Sequence, residues 1–127
     1  METMETMVEE EIMKCENLEV WKKSSNLCAE IYKYLKDCKD YGFKDQITRS
    51  ALSIPSNIAE GVERYSNKET VRFLDIARGS SAELITQIYI GIKIDYIEKE
   101  VGLKLKTQTE EIAKMLTNLI KSYRAYK

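Results

Sequence analysis

The side chains that most often carry catalysis are scarce in this sequence. None of its 127 residues is a histidine, so the commonest general base and the commonest transition-metal ligand are missing, together with every Ser–His or Cys–His nucleophile pair. The sequence also lacks a glycine-rich phosphate-binding loop. Glu60 and Glu83 could form an acid–base pair, but their spacing gives no reason to expect a shared cleft, and each could equally pair with an arginine. The sequence therefore predicts no catalytic residue, no metal site and no cofactor.

Three cysteines are the remaining candidates for metal or redox chemistry. Cys15, Cys28 and Cys38 form no CxxC pair, and their odd number leaves one unpaired in any disulfide scheme. Cys28 and Cys38 fall on the apolar stripe of the first predicted helix, where a free cysteine behaves as a small hydrophobe. We therefore interpret them as reduced core thiols; the alternative is a metal or redox role.

Basic residues suggest a binding chemistry. Residues 1–16 carry six Glu and one Lys, which leaves 19 basic and 15 acidic residues in 17–127, a net charge of +4. Residues 104–127 hold six basic residues against two acidic ones. Guanidinium and ammonium groups bind phosphate through charge-assisted hydrogen bonds, although they also pair with carboxylates or gather at helix C-termini. The candidate nucleic-acid-binding residues are Arg49, Arg64, Arg72, Lys121 and Arg124.

Small residues are concentrated in two segments, 50–61 and 77–82, each of which contains one glycine. A glycine within a helix costs about 1 kcal/mol relative to alanine. We therefore expect Gly61 and Gly79 to allow two facing helices to approach closely. The alternative is a ligand pocket beside Pro55, lined by Ser53, Ser56, Asn57 and Glu60.

Amphipathic helices are predicted to position these residues. The first begins at Leu18 and ends at Tyr41 and Gly42, where glycine would provide a left-handed cap. Its apolar stripe is Trp21, Ser24, Cys28, Ile31, Leu35 and Cys38. The second helix, 43–64, has one face formed by Phe43, Ile47, Ala51, Ile54, Ile58 and Val62. Pro55 is expected to kink it, because proline removes a backbone donor and clashes with the carbonyl four residues earlier.

The third helix is predicted from Asn67 to about Lys99, after a capping box formed by Ser66 and Glu69. Its second half is apolar on nearly every side, and a helix that is apolar all round must be covered all round. Because a four-helix domain covers only the inner face, the sequence predicts burial against another subunit. The interface candidates are Ile85, Ile88, Tyr89, Ile92 and Tyr96. A β-strand is the alternative for this stretch, which is rich in β-branched residues.

The last helix is predicted to begin at a capping box of Thr107 and Glu110, after Gly102 interrupts the pattern. Four helices with short connections give an all-α, antiparallel up-down-up-down four-helix bundle over 17–127. An acidic arm over 1–16, frayed or disordered, precedes it. No stretch has the character of a membrane span or a signal peptide, so we expect a cytoplasmic protein without membrane contact.

The most unusual motif is SerIleProSerAsnIleAlaGluGly at 53–61, preceded by GlnIleThrArgSerAlaLeu at 46–52. With the segments 72–74, 76–77, 79–80 and 83–84 that follow, and Val20 and Trp21 in the first helix, it closely resembles the family of 23S rRNA intervening-sequence proteins over about residues 18–120. The resemblance implies that Arg49, Arg64 and Arg72 occupy basic family positions, while Thr48 stands where a second arginine is common. It also implies a signature at a helix crossing: Ser53, Pro55, Asn57, Glu60, Gly61, Gly79 and Glu83.

The resemblance implies a bacterial four-helix bundle with no established enzymatic activity. The family is similar in fold to the accessory variability protein of diversity-generating retroelements, a homopentameric barrel that binds nucleic acid and a reverse transcriptase. Our leading hypothesis is therefore a non-enzymatic homo-oligomer, expected to be a pentamer, that binds structured RNA or DNA through a basic surface. The alternative is a protein-binding scaffold with no nucleic-acid contact.

Overall fold

The structure, a computed structural model, describes residues 18–125. Its four helices are α1 (Glu19–Tyr34), α2 (Tyr41–Val62), α3 (Asn67–Lys93) and α4 (Lys99–Ala125). No strand occurs within 18–125, so the prediction of an all-α protein is confirmed and the strand alternative for the third helix is wrong. The acidic arm predicted for 1–16 lies outside the described residues.

The helices pack as an antiparallel square. Between α2 and α3, Gln46 contacts Gln87 and Ser53 contacts Ser80, so residue numbers rise along one helix as they fall along the other. α1 packs on α2 and on α4. In the diagonal pairs, α1 with α3 and α2 with α4, no Cα atoms of the two helices lie within 8 Å of each other. This is the predicted up-down-up-down arrangement.

The core lies along the axis of the bundle and is almost entirely aliphatic. Each fully buried side chain of this kind stabilises a fold by about 1.5–3 kcal/mol. Cys28 belongs to the core, as predicted, and burial raises the pKa of its thiol, whereas Cys38 is half-buried. The largest fully buried side chains are Leu27, Ile31, Ile47, Ile54, Ile58, Leu74, Leu84, Ile88, Ile112, Leu116, Ile120 and Thr109.

The connection between α1 and α2 differs from the sequence prediction. α1 ends at Tyr34, and Gly42 lies in the first turn of α2 without a left-handed backbone, so the prediction of a glycine cap is wrong. Asp40 decides this boundary, because its side-chain oxygen accepts the N–H of Phe43 at 3.1 Å. An aspartate in this position satisfies a backbone donor that the first turn leaves unpaired. A new helix therefore starts where the glycine suggested that one ended.

The boundary between α3 and α4 lies earlier than predicted. α3 ends at Lys93 and α4 begins at Lys99, so Gly102 and Thr107 are inside α4 and the predicted capping box at Thr107 is wrong. A Cβ added at Gly102 would lie 2.4 Å from Cδ1 of Ile92. Gly102 therefore permits close contact between two helices and does not interrupt one. The Thr107 hydroxyl donates to a carbonyl one turn earlier in the same helix, at 2.9 Å.

Residues predicted to extend the third helix form a tight turn instead. Asp95 adopts a left-handed backbone, with φ of 65°, a conformation that most side chains resist. The carbonyl of Gly91 accepts the N–H groups of Tyr96 and Ile97 at 2.9 and 3.1 Å. This turn carries Ile97 into the core, where it is 2% exposed.

Two tyrosines join the connections at this end of the bundle, which we call the loop end (residues 35–40 and 94–98). The Tyr96 hydroxyl donates to the Asp40 carboxylate at 2.8 Å, and its ring packs edge-on against Phe43 with centroids 5.3 Å apart. The Tyr34 hydroxyl accepts the N–H of Glu98 at 2.9 Å, directly before α4. The α1–α2 and α3–α4 connections are thus bonded to each other and to α1.

Candidate nucleic-acid interface

Four of the five predicted phosphate-binding residues lie at one end of the bundle, where α2 ends, α3 begins and α4 ends. Asn67 at the start of α3 donates from Nδ2 to the carbonyl of Tyr123 near the end of α4, at 3.3 Å. This contact fixes the two termini side by side. We call the cations gathered there the basic end: Arg64, Lys68, Arg72, Lys121 and Arg124.

A cleft of about 360 Å³ opens between α3 and α4 at the basic end. Lys68 and Arg124 line it and are exposed, whereas Val71 and Tyr123, which also line it, are half-buried and pack against the core. Asn67 completes the lining. The cleft therefore offers two cations beside an apolar and an aromatic side chain, a combination that suits a phosphodiester next to a stacked base.

Arg64 and Arg72 of the basic end are partly occupied by protein groups. Arg64 forms an ion pair with Glu60, and its Nε donates to the carbonyl of the same residue at 3.2 Å. The guanidinium carbons of Arg64 and Arg72 lie 4.8 and 5.3 Å from the ring centroid of Phe73. Cation–π contacts of this kind hold both arginines over one aromatic ring.

Arg49 does not belong to the basic end. It lies in the third turn of α2, and the rise from Arg49 to the last residue of that helix, Val62, is about 20 Å. Its Nε donates to Oδ2 of Asp45 at 2.9 Å in an exposed i,i+4 ion pair. The structure thus separates Arg49 from the other four candidates.

Lys68 is a residue of the basic end that the sequence interpretation missed. It lies one turn before Arg72 on α3 and lines the cleft directly. Its i,i+4 spacing from Arg72 places both side chains on neighbouring parts of one helix face, and this spacing was the available signal.

Two signature residues, Ser53 of α2 and Glu83 of α3, form hydrogen bonds across the contact between these helices. The hydroxyls of Ser53 and Ser80 are 2.8 Å apart, and the hydroxyl of Ser50 lies 3.4 Å from Oε2 of Glu83. Asn57 donates from Nδ2 to the carbonyl of Ser53 at 2.8 Å and to its hydroxyl at 3.0 Å. Polar side chains therefore connect the two helices along their length.

Pro55 is buried at this crossing, and α2 continues past it to Val62; the kink stays a prediction. Of the polar side chains that could line a pocket there, Ser53 and Asn57 are bonded to each other and Glu60 is paired with Arg64. Ser56 is exposed. This geometry favours helix packing over a ligand site.

The two helix-interior glycines lie in different environments. A Cβ at Gly61 would lie 3.0 Å from Cβ of Phe73 and 3.3 Å from the carbonyl oxygen of Thr70, so Gly61 permits the close approach that the sequence predicts. Gly79 is exposed, and a Cβ there would meet nothing within 4 Å. The predicted close approach is wrong for Gly79, because its position on α3 faces away from α2.

Three of the five predicted interface residues are used within the protomer. Ile88 is fully buried in the core, so its assignment to a subunit interface is corrected: its position on α3 faces the bundle axis. Ile92 packs on α4 and Tyr96 belongs to the loop end. Tyr89 is 56% exposed and Ile85 is half-buried, which leaves these two at the surface.

Other apolar side chains of α3 are exposed that the sequence interpretation did not single out. Ile76 and Ile90 are 44% and 43% exposed. Together with Tyr89 and Gly79 they form what we call the outer face of α3. Isolated exposed apolar residues are normal in soluble proteins, and Ile76 lies about 20 Å along the helix axis from Ile90.

The carboxylates considered for catalysis are separated. Glu60 pairs with Arg64 near the end of α2, whereas Glu83 contacts Ser50, and the ten residues between these points on α2 span roughly 15 Å. In the part of the chain that the structure describes, no group of three or more Cys, Asp or Glu side chains is placed to hold a metal ion. None of the four described helices combines the length and apolar character that crossing a lipid bilayer requires.

The bundle and its signature segment match a known protein family. The family model described as 23S rRNA-intervening sequence protein matches residues 16–118. This chain belongs to that family. It is also similar to a crystallised protein of unknown function from the S23 ribosomal protein family of Bacteroides thetaiotaomicron VPI-5482, with 30% identity, a TM-score of 0.76, and coverage of 80% of this chain and 98% of that one. No curated protein matches the chain.

Membership in the 23S rRNA-intervening sequence protein family confirms the resemblance drawn from the signature segment. The matched range contains that segment together with Arg49, Arg64 and Arg72, whereas Lys121 and Arg124 lie beyond it. The basic end therefore combines residues within the family match and residues from the last turns of α4.

Proposed function

We propose that this member of the 23S rRNA-intervening sequence protein family is a non-enzymatic homo-oligomer that binds the phosphate backbone of structured RNA or DNA at its basic end. The observation that carries the proposal is the convergence of Lys68 and Arg124 on one cleft. Arg72 and Lys121 lie one turn away from them along α3 and α4. Packed helices hold the backbone of these residues, so a polyanion that binds has to order only their side chains.

The chemistry of the basic end favours backbone contacts over base readout. Its exposed groups are ammonium and guanidinium ions, which attract phosphates whatever the base sequence. Tyr123 in the cleft provides a ring for stacking, and stacking is tolerant of sequence because every base has a π-face. The expected ligand is therefore recognised by its charge and shape.

Self-association is supported by the outer face of α3. Ile76, Tyr89 and Ile90 are 44%, 56% and 43% exposed there, and no residue of the described part of the protomer covers them fully. A closed ring would repeat the basic end in every subunit, and the fields of neighbouring basic ends add. The resemblance implies a pentamer, which remains our expected state.

Titration of a labelled RNA hairpin at several salt concentrations tests the nucleic-acid part of the proposal. We expect binding at low salt that weakens as salt rises, because each neutralised phosphate releases counterions. A double variant, Lys68→Gln with Arg124→Gln, should make the negative slope of the logarithm of the association constant against the logarithm of the salt concentration shallower by about 1.5–2.

The matched control is Lys33→Gln with Arg49→Gln, which removes two exposed cations away from the cleft and should leave the slope close to that of the unchanged protein. Absence of binding at low salt, or binding that salt does not affect, would contradict the proposal.

A protein-binding scaffold is the second candidate function. The ion pairs of Arg49 with Asp45 and of Arg64 with Glu60 favour it, because two of the candidate arginines already have internal partners. On this hypothesis the outer face of α3 docks a different protein. A protein that binds no RNA at low salt and is monomeric by light scattering would support the scaffold over the homo-oligomer.

A further inference from the structure

The basic end is also the end of the bundle from which the N-terminal segment leaves. α1 runs antiparallel to α4, and Lys23 donates from Nζ to Oε1 of Glu111 at 2.9 Å. Leu18, the first described residue, therefore lies beside the second half of α4. Arg124 extends about 12 Å further along the bundle axis than Leu18, since each helical residue rises by about 1.5 Å.

This difference in length leaves the basic end without a covering fourth helix in the described part of the chain. α1 has 16 residues, whereas α3 and α4 have 27 each. The half-buried side chains of Val71 and Tyr123 and the cleft between them lie in this three-helix section.

The segment before α1 carries the charge that complements the basic end. Residues 1–16 contain Lys14 as their single basic side chain and six glutamates, at Glu2, Glu5, Glu9, Glu10, Glu11 and Glu16, a net charge of −5. Val8 and Ile12 lie among them and supply apolar side chains. The basic end presents five cations, and the acidic residues of the same region are Glu60, Glu63 and Glu69.

The length of the segment allows it to reach the cleft. Seventeen residues precede Leu18, and an extended chain of this length spans up to about 55 Å. The path from Leu18 to the cleft has two parts. Along the bundle axis it covers about 12 Å, the rise of about eight helical residues. Across the bundle it covers one or two interhelical distances of about 8–10 Å each. Reach therefore does not limit the contact.

We infer that residues 1–16 dock on the basic end and compete with nucleic acid for its cleft. The competing ligand rests on the proposed function, whereas the contact itself rests on charge, reach and the position of the α1 start. A tethered segment acts at an effective concentration on the order of millimolar, so individually weak contacts suffice. A phosphate backbone that binds the cleft must first displace the glutamates.

Binding of a labelled RNA hairpin to full-length variants tests the competition. Glu9→Gln, Glu10→Gln and Glu11→Gln together neutralise half of the six glutamates. The matched control carries Glu30→Gln, Asp37→Asn and Glu100→Gln, exposed residues of the half of the bundle nearer the loop end, so the net charge changes equally.

The arm variant should bind RNA about 10-fold more tightly than the control, the scale expected when a tethered millimolar competitor is weakened. An equal gain in both variants, or no gain in either, overturns the competition while leaving the proposed function intact. No binding by any of the proteins at low salt refutes the proposed function instead.

Lysine acetylation tests the docking without nucleic acid. The docked segment should shield Lys68 and Lys121 from an acetylating reagent. In the unchanged protein these two lysines should therefore react several-fold more slowly than in the variant with glutamine at positions 9, 10 and 11, as measured by mass spectrometry of peptides. Lys33, an exposed lysine at the far end of α1, should react equally in both. Equal rates at Lys68 and Lys121 overturn the docking whatever the RNA result.

Discussion

Gly61 and Gly79 occupy similar places in the sequence, each in a run of small residues within a helix, yet only Gly61 contacts a neighbouring helix. Local pattern identifies a helix-interior glycine, but the rotation of one helix against the next decides what such a residue faces. The two positions therefore form a matched pair for experiment.

Gly79→Ala should stabilise the protein by about 1 kcal/mol, because alanine is the better helix former and the added methyl group would meet nothing within 4 Å. Gly61→Ala should destabilise it by about 1–2 kcal/mol, since the methyl group would crowd Phe73 and the carbonyl of Thr70. Urea unfolding of both variants at one protein concentration measures the difference.

A Gly79→Ala protein less stable than the unchanged one would contradict the exposed environment described for Gly79. Such a result would mean that a second subunit contacts this position, which the dependence of the urea midpoint on protein concentration would reveal.

The connecting segments show how helix boundaries are decided at the scale of the element. The sequence predicts a third helix up to Lys99, yet α3 ends at Lys93, because Asp95 turns left-handed and Ile97 enters the core. Helical periodicity continues through this stretch in the sequence, and only the burial of Ile97 against Gly91 reveals why the chain turns.

The contact between Asp40 and Tyr96 at the loop end makes stability depend on pH at both extremes. The N–H of Phe43, foremost, and the Tyr96 hydroxyl lower the pKa of Asp40 from its ordinary 3.8. A carboxyl with a lowered folded pKa stabilises the fold above its unfolded pKa, and this contribution is lost as pH falls through the folded value.

The phenol behaves in the opposite sense. Its hydrogen bond to Asp40 raises the pKa of Tyr96 from its ordinary 10.0, so its contribution is complete below that value and is lost as pH rises through the raised one. Tyr96→Phe should therefore lower the urea midpoint near neutral pH, and the deficit should shrink above the ordinary pKa of tyrosine, about 10.

Tyr41→Phe serves as the control for this experiment, because Tyr41 is 72% exposed and its substitution removes a phenol while leaving the bond between Asp40 and Tyr96 in place. A Tyr96→Phe deficit that is the same at neutral and strongly alkaline pH would rule out a stabilising contact with Asp40.

At the scale of the whole molecule, neighbouring residues of α3 have opposite roles. Ile88 lies in the core, whereas Tyr89 and Ile90 are exposed on the outer face. Tyr89→Asp and Ile90→Asp should each yield folded protein of lower mass in light scattering, because a carboxylate placed in an apolar subunit interface loses its hydration.

Two further variants make this experiment interpretable. Ile88→Asp should unfold the protein, seen as lost helical circular dichroism, since the charge would enter the protomer core. Tyr65→Asp, at a fully exposed position between α2 and α3, should leave both mass and helicity unchanged. Unchanged mass in the Tyr89 and Ile90 variants would remove the outer face of α3 from the interface.

The sequence by itself determined the number of helices, most of the core and the family. Apolar residues such as Ile47, Ile54 and Ile58 recur at helical spacing, and this spacing depends only on the geometry of a single helix. The cap at Ser66 was likewise predicted correctly, as its side chain accepts the N–H of Glu69, because capping involves residues close in sequence.

Only the tertiary structure decided which faces turn outward and which distant residues meet. Helical spacing did not predict that Lys68 and Arg124 line one cleft while Arg49 lies apart. These outcomes depend on the rotation and axial register of packed helices. That register is set by the fit of side chains from different helices, and a pattern read along one helix does not contain it.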